Sequence, residues 1–254
     1  MTQDIEEHLI TLLQELHEYR VFGRVTKVTG TLLAIGGLGK NLHIGDRCEV
    51  VGENSTLLCE VVRLDNHEAF ALPYGPIEGI GVGCKVWISE LGRTIYPDMS
   101  WCGRVIDAFA RPIDGKRPLL RGMQPFAIRG DPSPAHARRL MGPRLDLGIK
   151  ALNVFTPLCM GQRLGIFAGS GVGKSILLAM IARYCAADIV VIGLIGERGR
   201  EVREFIEREL GEEGLRKCVI VVATSDQPAL TRREAAYMTL SLFITMHLLR
   251  SVCG

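Results

Sequence analysis

The 254-residue sequence has almost no net charge: 30 Lys and Arg against 28 Asp and Glu leave +2. No bulk attraction to nucleic acid or to an anionic membrane follows from that balance. Long apolar runs are also missing, and nothing approaches the ~18 residues that a membrane span needs. Asp4, Glu6 and Glu7 stand where an export signal would carry positive charge. Aromatic residues make up 6%. Those near the N-terminal cations are Tyr19, Phe22, Phe70, Tyr74 and Trp87, too sparse for a base-stacking track among Arg20, Arg24, Lys27, Arg47 and Arg63, which read as solvated faces. The eight cysteines (48, 59, 84, 102, 159, 185, 218 and 253) never come closer than 11 positions, and the six histidines do not cluster with them. That spacing excludes a zinc framework and predicts buried, reduced thiols in a soluble cytoplasmic chain. No Asn-Lys-x-Asp tetrapeptide occurs, so ordinary guanine recognition is excluded.

What is present is an apolar share of 47% with 23% charge, ordinary for a folded chain, and 29 glycines, above the usual ~7%. Three zones differ in texture, over residues 1–18, 19–90 and 91–254. In the first, Ile5, Leu9, Leu12, Leu13 and Leu16 recur at helical spacing behind an Asp4/Glu7 capping pattern. This helix either packs on its own domain or serves as a docking arm. In the second, β-type runs at Val21–Val28, Leu32–Ile35, Cys48–Val51, Leu57–Leu64, Glu68–Leu72 and Cys84–Ile88 are separated by Gly- and Asp-rich turns. Six short strands with no helical pattern between them predict a small antiparallel barrel.

The third zone begins irregular and rich in proline, then alternates strands and helices. The expected strands are Arg163–Ala168, Ile189–Ile195 and Cys218–Thr224. The expected helices are Lys174–Ala186 (Ile176, Leu177, Met180 and Ile181 on one side), Arg200–Glu213 and a long Thr231–Leu249 that is apolar on most faces. All-apolar strands alternating with helices predict a parallel sheet covered on both faces, an α/β fold.

Between the first of these strands and helices lies Ala168-Gly169-Ser170-Gly171-Val172-Gly173-Lys174-Ser175, a phosphate-binding P-loop with Ala168 in the place usually given to glycine. Its glycines let backbone N–H groups wrap a phosphate at a helix N-terminus. Lys174 would reach the β- and γ-phosphates, and the Ser175 hydroxyl would ligate Mg²⁺. Gly196-Glu197-Arg198 ends the next strand, 23 residues past Lys174. Ligands of parallel sheets bind at the carboxyl ends of strands, so both elements face one crevice. Glu197 there either caps a helix or polarises the water attacking the γ-phosphate, with Arg198 offsetting developing charge.

Several blocks then become recognisable: Gly45-Asp46-Arg47-Cys48, the run from Leu72 to Ile80, Gly103 to Asp107, Pro112 to Lys116, Gly148 to Ala151, Gly161 to Ser175, Ile195 to Val202, Ser225 to Pro228, and Arg232-Arg233 to Tyr237. From about Tyr19 to Leu242 the chain resembles the ATPases of bacterial type III export, flagellar rather than virulence in kind, within the rotary ATP synthase catalytic-subunit group. The leading Ala168 is typical of those export ATPases. The resemblance implies a RecA-like P-loop sheet behind a β-barrel, ATP and Mg²⁺ as ligands, and Glu197 as the catalytic carboxylate. It also implies a hexamer, a regulator on the N-terminal helix, a stalk protein, an export gate, and export chaperones and substrates at the inner membrane. The family carries later a Mg²⁺-holding Asp, aromatic adenine contacts, an arginine finger and a C-terminal helical domain. None of these falls within the 254 residues, so an incomplete and catalytically impaired member is expected. The virulence-secretion paralogue, a non-hydrolysing nucleotide-binding module and an RNA translocase are the competing readings, and the +2 charge speaks against the last.

Overall fold

The structure is a computed structural model that describes residues 21–38, 41–53, 55–65, 68–89, 93–130, 134, 136, 140–169 and 171–253, with side chains to residue 249. The expected helix over 1–18 lies outside the described residues. The chain forms two compact units that meet in sequence between residues 92 and 93.

The first unit is a closed barrel of β1 (Gly23–Thr29), β2 (Leu32–Gly36), β3 (Arg47–Val51), β4 (Thr56–Leu64), β5 (Glu68–Pro73) and β6 (Lys85–Ile88). The strands close in the order β1-β2-β5-β4-β3-β6 with antiparallel pairing throughout. Inward positions alternate along each strand, and Val25, Leu33, Ile35, Val50, Val61, Ala71 and Val86 fill the interior. Cys48 and Cys59 face each other across β3 and β4, both fully buried and unoxidised. The hydrogen bond with Cys48, reinforced by burial, holds the Cys59 thiol far above the ordinary range. Arg24, Lys27 and Arg63 are exposed as expected, but Arg47 is not. It is buried over the Tyr74 ring, opposite Glu60, which accepts the Tyr74 hydroxyl. A cation can leave water there because a carboxylate and an aromatic face replace its hydration.

In the second unit β7 (Thr94–Ile95) pairs with β9 (Phe126–Ala127), and β10 (Arg144–Leu145) with β11 (Leu158–Cys159). Between the latter two runs α1 (Lys150–Phe155). Its main sheet is parallel, in the order β12 (Val190–Ile195), β13 (Cys218–Ala223), β8 (Arg104–Ile106). All six residues of β13 are buried. Val219, Val221 and Ala223 pack on one face against Ala235, Met238, Leu242 and Met246 of α5 (Ala229–Cys253). Cys218, Ile220 and Val222 pack on the other against Ala179 and Ala182 of α2 (Lys174–Tyr184), Val202 of α3 (Gly199–Glu204), and Phe205 and Leu210. Burying each large aliphatic chain of β13 contributes about 1.5–3 kcal/mol.

Four expectations need correction. Residues 163–168 form no strand: Leu164 is 42% and Phe167 97% exposed, and no described strand pairs with them. Apolar composition alone does not make a strand, because a parallel strand takes its stability from ladder partners and covered faces. β12 is only half-buried, since it borders just one described strand, β13. On α2 the buried positions are Ala179 and Ala182, while Ile176 and Met180 are exposed. The amphipathic helix expected over 200–213 is three joined pieces, α3, a π-type segment Phe205–Leu210, and α4 (Gly211–Leu215). On α5, Tyr237, Leu240, Phe243, Ile244 and Leu248 stay exposed. No helix among the described residues is long and apolar enough to cross a membrane.

Candidate functional site

Gly173 caps α2 from the left-handed region, φ 92°, a conformation that glycine adopts without a Cβ penalty. It has no side chain to cap the first turn, and that turn holds no acidic residue. A helix start of this kind offers free N–H groups and the positive end of the helix dipole. Ala168, Gly169 and Val172 are exposed, Gly171 lies in the turn ahead of the cap, and Ser170 falls outside the described residues. Lys174 opens the helix, with Ser175 exposed beside it. This donor set fits a phosphate: backbone amides, an ammonium, and a hydroxyl able to hold the accompanying Mg²⁺.

Glu197 approaches the same place from the sheet. β12 ends at Ile195, and Gly196 turns the chain with φ 78°. Two backbone bonds fix this exit to the end of β13: Gly196 N–H donates to Ala223 O at 2.7 Å, and Ser225 N–H to Glu197 O at 3.0 Å. In the adjoining turn the Thr224 hydroxyl holds the Asp226 carboxyl below its ordinary range. Across the gap Lys174 Nζ lies 3.4 Å from Glu197 Oε1, the side chains 41% and 36% exposed. At that exposure the pair is worth about 0–1 kcal/mol. It is held weakly enough for a phosphate to displace it.

Arg198 is not drawn into this pair. It precedes α3 and contacts Glu201 at 3.3 Å in solvent. Arg232 of α5, in contrast, belongs to a block that carries the family resemblance but has no expected site role. Its Nη1 would lie 3.8 Å from a Cβ built on Gly196, and its Nε is buried without a hydrogen-bond partner. The Gln227 Oε1 is likewise buried and unbonded. In the sequence Arg232 is one arginine of an Arg-Arg pair at a helix start, and only the close approach to Gly196 separates it from Arg233. Among the described residues no cluster of three or more His, Cys, Asp or Glu could hold a metal ion by itself.

Residues 25–87 match the β-barrel domain of the ATP synthase alpha/beta family, and residues 148–243 match the nucleotide-binding domain of the same family. The chain belongs to the ATP synthase alpha/beta family. The nucleotide-binding match takes in the P-loop, Glu197 and Arg232. The "Flagellum-specific ATP synthase" of Caulobacter vibrioides is 52% identical over 236 residues, covering 92% of this chain and 53% of the relative. Its namesake in Bacillus subtilis is 39% identical over 234 residues, covering 91% of this chain and 53% of the relative. A solved structure of the assembled ATPase EscN with its central stalk EscO, from the type III secretion system of enteropathogenic E. coli, superposes with a TM-score of 0.77 at 35% identity. That match covers 87% of this chain and 53% of the EscN chain. This alpha/beta-family chain thus spans about half the length of the curated relatives it matches.

Proposed function

We propose that this chain is the barrel and nucleotide-binding part of an ATPase subunit that energises flagellar-type protein export. In this reading the amides of residues 169–173 wrap the β-phosphate, Lys174 contacts the β- and γ-phosphates, and the Ser175 hydroxyl holds Mg²⁺. The ion, when bound, neutralises charge on the phosphate oxygens. Glu197 then orients and polarises the attacking water, while Arg198 and Arg232 are the cations available to developing charge. The observation that carries the reading is the 3.4 Å meeting of Lys174 and Glu197, brought together from a helix start and a strand end. By likeness to the assembled relatives, the subunit works as a ring around a stalk protein, in the cytoplasm at the inner-membrane export apparatus. The export gate, chaperones and substrates, and a regulator on residues 1–18, complete its partners.

Calorimetric titration of the purified chain with MgATP tests the core of this reading. Lys174→Ala removes a charge-assisted contact of about 2–3 kcal/mol, an affinity loss of roughly 30- to 150-fold. Equal binding by parent and variant would refute the phosphate site. A second reading, binding without turnover, draws on residues 163–168, which lead into the loop outside the sheet. Phosphate release by the same sample, with Glu197→Gln as control, separates the two: no release above that control favours the second.

A further inference from the structure

We infer that the Lys174–Glu197 contact is a self-inhibiting latch of the nucleotide-free site. The inference rests on the phosphate-site reading above and adds to it an order of events. The phosphate's counter-ion and the water-activating carboxylate are bonded to each other, so neither group is free for its task. Lys174 Nζ is 3.4 Å from Glu197 Oε1, whereas Arg198, the cation next to Glu197 in sequence, is engaged by Glu201 at 3.3 Å.

Only side chains need move to open the latch. The Lys174 backbone is fixed by the first bonds of α2, Leu177 N–H donating to Gly173 O at 2.9 Å. The Glu197 backbone is fixed by the Gly196–Ala223 and Ser225–Glu197 bonds. A di- or triphosphate carries more charge than one carboxylate and also gains the helix N-terminus, so it wins the ammonium. Phosphate binding thus shifts the pair from mostly closed to open and frees Glu197. Water activation is thereby tied to phosphate occupancy, and nucleotide affinity is reduced by the population of the closed pair.

The test is a double-mutant cycle on the full chain: parent, Glu197→Gln, Lys174→Met and the double variant, each titrated with MgADP and MgATP at low and high salt. Glu197→Gln is expected to bind both nucleotides about two- to five-fold more tightly than the parent, the range of an exposed ion pair. The gain should shrink at high salt and vanish in the Lys174→Met background. If the gain persists undiminished without the lysine, the carboxylate merely repels phosphate and the latch is overturned. Unchanged or weaker binding by Glu197→Gln overturns it as well. Should Glu197→Gln not fold, Glu197→Asp, one methylene shorter, is expected to give a smaller gain of the same sign, and no gain is again refutation. Parent-like binding by Lys174→Met marks a different failure, that of the phosphate site itself.

Discussion

Asp114 anchors the loop that covers the outer side of β8, and its removal gives a sharp test of how the second unit is held together. The carboxylate takes Arg104 Nε at 2.7 Å and Nη2 at 3.0 Å, plus the amides of Val105 and Lys116. The pair is nearly dry, with Arg104 12% and Asp114 7% exposed. Burial by itself would raise the Asp114 pKa, but the Arg104 guanidinium and the two amides outweigh it and bring it from 3.8 to about 2. At ~1.4 kcal/mol per tenfold change in proton affinity, that drop corresponds to about 2 kcal/mol. Asp114→Asn also takes the compensating negative charge away from Arg104, leaving it neutral acceptors such as the Arg117 carbonyl. The expected loss at neutral pH is therefore about 2–4 kcal/mol. Because the folded value lies below the unfolded one, the stabilisation is complete above pH 3.8 and disappears as pH falls from there to about 2. The parent should lose stability over that window, while the variant should lack this share of the loss. Two units need not unfold together, so the probe must be local. Trp101 is buried in the second unit, donating to Leu120 O at 2.7 Å, and Trp87 belongs to the barrel. Urea melts followed by fluorescence in a Trp87→Phe background report the second unit alone. Stability within about 0.5 kcal/mol of the parent, or identical acid dependence in both proteins, would refute the reasoning.

Three further outcomes are expected. Ile220→Ala, on the fully buried central strand, should cost about 2–5 kcal/mol in the same Trp101 melt. Ala110 is the one non-glycine at positive φ among the described residues, 60° in the turn that Asp107 caps, so Ala110→Gly should be neutral to about 1 kcal/mol stabilising by thermal melt. Gly196→Ala places a Cβ at φ 78° and toward Arg232. It should destabilise by about 1 kcal/mol and weaken MgATP binding in calorimetry, though less than Lys174→Ala does.

The strands of the barrel were legible in the sequence because their apolar runs are short and Gly45-Asp46 or Gly79 to Gly83 announces the turns. Their pairing was not, since β2 pairs with β5, and β6 with β1 and β3, across long stretches of chain. The phosphate loop was legible because its function needs glycine at fixed backbone angles. Residues 163–168 were misread because a strand is a property of a pair, and a single segment of apolar residues carries no record of what lies beside it. Arg47 was misread for a related reason: Glu60 and Tyr74, which replace its water, are 13 and 27 positions away. Arg232 stood out only as part of the Arg232-Arg233 block, and its place beside Gly196 was not legible for the same cause, since it is a packing distance across the sheet end.

The cysteine distribution gives each unit its own clock. Cys48 and Cys59 sit in the barrel interior, and Cys185 and Cys218 are buried in the second unit, Cys218 pushed up to about 12 by burial. An alkylating reagent must reach the sulfur, so an enclosed thiol reacts only when its surroundings open. Mass spectrometry of partially alkylated protein therefore reads two opening equilibria from one tube, barrel and nucleotide-binding unit separately. A nucleotide added to the sample would slow only the clock of the unit that holds it.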